Sequence, residues 1–216
     1  MHRSILAGAI LAAAVTAMSA AGANAQQFIA DLKGVNEIGS IPSAVTITTT
    51  PSTVATGYTG AVLSNGTGTA TLELNTNAGT VTFTLTYSNV GTTPPQTGTV
   101  SQAHIHFGKS RDSGGILVFF CTNLTFSGTG PTPQACPANS GTVSGTWTKA
   151  DVQAITGQNV VAGDFNALVM ALESNTAYAN VHTVPPPGAT HTAYPGGEIR
   201  GQVRLVDGQQ GNQNQQ

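Results

Sequence analysis

The sequence predicts an all-β protein, an antiparallel Greek-key β-sandwich or barrel carrying one or two short helices. Three observations predict it. Gly, Thr, Ser, Asn and Pro are abundant, while charged residues make up only 7% of the chain. Several short segments alternate apolar and polar residues with a period of two, the mark of half-buried strands. Clusters of Gly, Asn and Pro separate those segments and supply turns.

The first 25 residues, "MHRSILAGAILAAAVTAMSAAGANA", stand apart from this pattern. A short basic start (His2, Arg3) leads into an apolar run from Ile5 to Met18 and then into the small residues "ANA". This is the layout of a secretory signal cleaved after Ala25. The run falls short of the ~20 residues that span a bilayer, and no later stretch is long or apolar enough to cross one. The expected mature protein is therefore exported, periplasmic or secreted. It comprises one domain over 26–207 and a disordered Gln/Asn-rich tail over 208–216, which has too little apolar surface to order itself.

Removing Arg3 from the seven Lys/Arg leaves six against nine Asp/Glu, a formal net charge of −3. Nucleic acid binding needs several cations to displace condensed counterions, and an anionic membrane surface needs a basic cluster. The chain offers neither.

Strand candidates follow in order. "FIADLKG" and "AVTITTT" lie near the mature N-terminus. "TATLELN" places Ala70, Leu72 and Leu74 on one face, and "TVTFTLTY" does the same with Val81, Phe83, Leu85 and Tyr87. The intervening "NTNAG" reads as a hairpin turn. "GGILVFFC" is a denser apolar strand, and "AYANVHT" and "GEIRGQVRLV" complete the set. Cys121 and Cys136 are the only cysteines. In an oxidising compartment they are expected to form a disulfide; the functional alternative is a thiolate metal ligand or a redox pair, and the spacing is wrong for C-x-x-C.

Two segments read as helical. "TWTKADVQAI" has Thr148 as an N-cap with Asp151 three residues on. "GDFNALVMALESN" spaces Phe165, Leu168, Val169 and Leu172 at the helical period, although Ala167 to Leu172 would also serve as a buried strand.

Alternation sorts the histidines. In "AHIHF", Ala103, Ile105 and Phe107 share one face while His104 and His106 share the other. Tyr178, Asn180 and His182 lie opposite Ala177, Ala179 and Val181. Glu198 and Arg200 lie opposite Ile199 and Gly201. If the three strands are neighbours, their polar faces gather all these groups on the wet side of the sheet.

These segments carry a resemblance. "LKGVNEIGSIPS", the Gly-rich pair "NGTGTATLELNTNAGTVTFTLTYSNV", the intact "AHIHFG", and the intact "YANVHT" and "GEIRGQ" resemble, in order, the pattern of the CHRD (chordin) domain family, over nearly the whole mature chain. Departures are local: "NEIGSIPS" lacks the family's double proline, "CTNLTFSGTGPTPQAC" is an insert, and "VPPPGATHTAYPG" is a stretched linker that brings in His191. The resemblance implies a β-sandwich and no single established activity. The H-x-H strand also resembles the copper-binding strand of Cu/Zn superoxide dismutases, which implies a superoxide-dismutase-like fold.

The chemistry of the histidines points to copper or zinc, which neutral imidazole suits. His104, His106 and His182 are the expected ligands, with His191 or a water completing the shell. Tyr178, Asn180, Glu198 and Arg200 are the expected supporting residues behind them. No catalytic residue is assigned, because no Ser-His-Asp or Cys-His order is legible. A dismutase-like redox enzyme is the lesser alternative, and the long zinc loop expected of one is missing. The main rival is a non-catalytic interaction or structural module of the envelope, partnered by a protein or glycan. A weaker idea is a pH switch, because clustered histidines titrate near pH 6.5.

Overall fold

The computed structural model describes residues 25–38, 40–41, 58–95, 97–185 and 193–206. The expected export signal (Ala25 apart), the strand expected over 44–50, His191 and the tail 208–216 lie outside the described residues.

Alternation builds most of the strands. β1 (Ala25–Lys33), β4 (Thr67–Asn75), β5 (Thr80–Ser88), β6 (Thr99–Phe107), β7 (Ile116–Thr122), β8 (Gly141–Trp147), β9 (Ala177–Val184), β10 (Ile199–Gln202) and β11 (Arg204–Leu205) form one sheet. β2 (Ser40–Ile41) and β3 (Tyr58–Thr59) form a separate short ribbon. The order is β7-β6-β9-β10-β1-β4-β5-β8, with β11 pairing β1, and every pairing is antiparallel.

The sheet curls into a nearly closed barrel. At the seam the Trp147 indole on β8 donates to the Phe119 carbonyl on β7 at 2.7 Å. Gln134 Nε2 also bridges the two edges, donating to Ser144 O at 2.9 Å and Phe120 O at 3.4 Å. Gln134 belongs to the strap that Cys121–Cys136 ties to β7, because those two cysteines form the expected disulfide. Such filling leaves little open strand edge to pair with another chain.

The β4–β5 hairpin turns where "NTNAG" predicts. Asn75 Oδ1 accepts from Ala78 N at 3.0 Å, and Gly79 takes the left-handed φ of 64°. Ala70, Leu72, Leu74, Val81, Phe83, Leu85 and Tyr87 are buried in the barrel, while Thr82 and Thr86 stay exposed.

Three expectations change. β8 was not expected from the sequence. "GTVSGTW" buries only Val143 and Trp147, too few apolar positions to announce a strand, yet it pairs β5 from Gly141 to Trp147. "TWTKADVQAI" is not a helix. Trp147 belongs to β8, and Thr148 caps a single 3-10 turn over Lys149–Asp151 through a capping box. The chain then extends because Gln153 N donates to Leu117 O at 2.8 Å, which ties it to β7. The second segment does become a helix, α1 (Phe165–Glu173), capped by Asp164 Oδ1 accepting from Ala167 N at 3.1 Å and burying Leu168, Ala171 and Leu172.

The third change concerns the polar face of β6, β9 and β10, which is covered rather than wet. All but the last residue of β9 is buried. The connection from Gly108 to Gly115, the stretch around Pro195, and the loops carrying Ser64 and Gly91 fold over this face and hydrogen-bond to it.

Candidate metal centre

β9 lies between β6 and β10, with His104 opposite Asn180, His106 opposite Tyr178, Gln102 opposite His182, and Arg200 opposite Asn180. The β6–β7 register shifts between Ala103 and His104 and again between Ile105 and His106. Such bulges re-aim the side chains beside them. His104 is 1% exposed, and His106 and His182 are each 8% exposed.

Each ring has one nitrogen engaged by an oxygen. His106 Nδ1 meets Gly114 O at 2.9 Å, His182 Nδ1 meets Pro195 O at 2.9 Å, and His104 Nε2 meets Gln102 Oε1 at 2.9 Å. A backbone carbonyl oxygen only accepts, so Nδ1 of His106 and of His182 carries the proton and Nε2 of each keeps a bare lone pair. The nitrogens left over are His104 Nδ1, His106 Nε2 and His182 Nε2. His104 Nδ1 lies 3.1 Å from His182 Nε2, and His106 Nε2 is buried with no hydrogen-bond partner. The three residues form a group whose ligand atoms all lie within 4.8 Å of one another.

The electrostatics keep the rings neutral. Burial first, then the positive charge that His182 and His106 would carry, lowers the His104 pKa well below 6.5. Burial is also the main cause that pulls His106 down to about 3 and His182 down to about 4. Burial therefore moves the titration of these clustered rings below the pH 6.5 that the pH-switch idea assumed.

The other expected residues divide. Tyr178 stacks on His106 with ring centroids 4.7 Å apart and planes 2° from parallel, and its hydroxyl accepts from Gly114 N at 3.2 Å. Arg200 packs over the same Tyr178 ring, with its guanidinium carbon 3.3 Å from the ring centre. Arg200 Nη2 donates to Lys109 O at 2.9 Å and Asp112 O at 2.8 Å, and so fixes the loop that carries Gly114. Asn180 instead donates to the Glu37 carboxylate and to Ile199 O at 3.3 Å. The Glu198 carboxylate accepts from Ser64 Oγ at 2.6 Å, from Gly91 N at 2.9 Å and from Thr183 Oγ1 at 3.1 Å. These bonds of Asn180 and Glu198 run to loops and to β9 and β10 rather than to the imidazoles. Gly197, at φ 123°, fits here because a Cβ would collide with Glu37 and Asn180.

Sequence reasoning missed Gln102, Gly114, Pro195 and Phe119, whose ring packs edge-on against His104 at 4.5 Å. Gln102 was findable, because it lies two residues before His104 on the same strand face. Gly114 and Pro195 act through backbone carbonyls, which leave no side-chain signal.

A family model described as the CHRD domain matches residues 28–203. No curated protein matches the chain.

Proposed function

The chain belongs to the CHRD-domain family, and on that premise we propose that it is an exported, periplasmic or secreted metal-binding module that holds copper or zinc on His104, His106 and His182. The observation that carries this reading is the convergence of three imidazole nitrogens, each on a ring whose other nitrogen is anchored. Anchoring of this kind behind a ligand fixes tautomer and aim in metal sites. An unpartnered buried nitrogen costs ~1–3 kcal/mol, and an ion at His106 Nε2 would remove that cost. The donor set is all nitrogen, which suits copper and zinc over magnesium or calcium. A fourth ligand, His191 or a water, would complete a tetrahedral zinc shell. Export is supported by the disulfide, a bond that persists in oxidising compartments.

Isothermal titration of the purified mature domain with Cu(II) and Zn(II) tests the reading. Wild type is expected to bind one ion, and the His104→Ala/His106→Ala/His182→Ala variant none. Equal weak binding by both proteins sinks the proposal. If copper binds, a superoxide assay separates a carrier from the lesser, redox-enzyme alternative.

A second reading, a non-catalytic interaction or structural module, is favoured by one observation. Glu198 and Arg200, both buried in the polar face, spend the hydrogen bonds described above on holding loops. The two readings are compatible, since a rigid scaffold is what a preset metal site requires.

A further inference from the structure

A groove lined in part by Arg200 gathers the chain's scarce positive charge. The chain has only seven Lys and Arg residues, and four of them, Lys33, Arg111, Arg200 and Arg204, line one cavity of about 810 Å³. The carboxylates in the same wall are Asp31 and Glu37, so the groove carries a formal excess of two positive charges on a chain whose formal net charge is −2. Both carboxylates are engaged: Asp31 accepts from Arg204 at 2.9 Å, and Glu37 accepts from Asn180 and from Ile38 N at 2.9 Å.

We propose that this groove binds a small multivalent organic anion of the di- or tricarboxylate class. Arg200 forms the floor. It is 2% exposed, and the Tyr178 ring and the carbonyls of Lys109 and Asp112 hold its guanidinium in place. A planar donor group already fixed in this way loses little freedom when it meets a carboxylate. Lys33 and Arg111 stand exposed at the rim, where they can close on a second and third carboxylate. The cavity has the volume of a small-molecule site rather than of a single inorganic ion. A long polyanion is the poorer fit. It needs cations along a track, and among the described residues the only other Lys or Arg are Lys109 and Lys149.

Calorimetric titration of the metal-free, full-length mature protein with citrate at low ionic strength tests the proposal, with acetate as the monovalent comparison. Citrate is expected to bind saturably at one per chain and at least tenfold more tightly than acetate. Lys33→Gln/Arg111→Gln is expected to weaken citrate tenfold or more. Lys149→Gln, which is not part of the groove lining, is expected to leave it unchanged. All three positions are exposed, and circular dichroism confirms that the variants fold. Citrate no tighter than acetate, an isotherm that does not saturate, or affinity untouched by the double substitution overturns the groove. The exposed-rim variant Lys33→Gln/Arg111→Gln should bind zinc as wild type does, so failure of the metal site and failure of the groove are read separately.

Discussion

His104 Nδ1 faces His182 Nε2 across 3.1 Å, two ring nitrogens from different strands pointed at each other in a buried site. The protons that the other nitrogens carry follow from their carbonyl partners. His106 and His182 are therefore expected as Nδ1–H tautomers in the metal-free protein. Long-range ¹⁵N–¹H spectra should show this, and zinc should shift His106 Nε2, His182 Nε2 and His104 Nδ1. A zinc-induced shift centred on His182 Nδ1 would contradict the assignment of donors.

Much of this arrangement was legible in the sequence, and the remainder has physical reasons for being hidden. A period of two correctly put His104 and His106 opposite Ile105, because side chains on a strand must alternate. It could not say whether that face was wet, because cover comes from loops such as Lys109–Gly114 that carry no period. β8 stayed hidden because an edge strand of Thr, Ser and Gly is held by backbone pairing to β5 rather than by an apolar face. Thr148 and Asp151 announced a real cap, and tertiary pairing of Gln153 with Leu117 cut the helix to one turn.

Acid should destabilise the metal-free protein through the same histidines. Unfolded, each imidazole takes up a proton near pH 6.5. Folded, His182 does so at about 4 and His106 at about 3, chiefly because burial disfavours the cation. Between those values the unfolded chain binds more protons, so falling pH favours unfolding. Stability from this source is complete above pH 6.5 and is lost as pH falls toward 3. Urea midpoints followed by Trp147 fluorescence should drop across that window. His182→Gln should flatten the profile, whereas a wild-type profile that is level from pH 7 to 4 would count against neutral buried rings.

Glu198 serves the scaffold rather than the metal. Glu198→Ala strands three donors, the buried Gly91 N and Thr183 Oγ1 and the half-buried Ser64 Oγ. The expected loss is on the order of 3 kcal/mol or more, since each stranded donor costs ~1–3 kcal/mol. Denaturant melts should register this while the metal stoichiometry of the folded fraction stays at wild type. Loss of metal binding in a fully folded Glu198→Ala protein would place this residue behind the ligands after all.

The Cys121–Cys136 bridge should stabilise the strap without being needed for the fold. Its sequence separation is 15, and closing a loop of that length is worth ~3 kcal/mol in the chain-entropy model. Asn123 holds the same strap independently, donating to Cys136 O at 3.0 Å and accepting from Cys136 N at 3.0 Å. Cys121→Ala/Cys136→Ala should therefore fold, with a urea midpoint lowered in proportion. Complete failure to fold would show that the hydrogen bonds alone cannot hold the seam.

Arg200 links scaffold and site, and a conservative change there should separate its two roles. Lysine keeps the charge, but it has no planar face to lay on Tyr178 and no rigid fork. Arg200→Lys should cost ~2 kcal/mol for a desolvated cation–π contact. It should also loosen Tyr178 and the Gly114 loop, whose carbonyl sets the His106 tautomer. Losses of 10- to 100-fold in metal affinity are typical when such outer contacts go. Calorimetry should then read one ion per chain at weakened affinity, and thermal melts a lowered midpoint. A lowered midpoint with unchanged affinity would confine Arg200 to the scaffold and leave His106 positioned by Gly114 without its help.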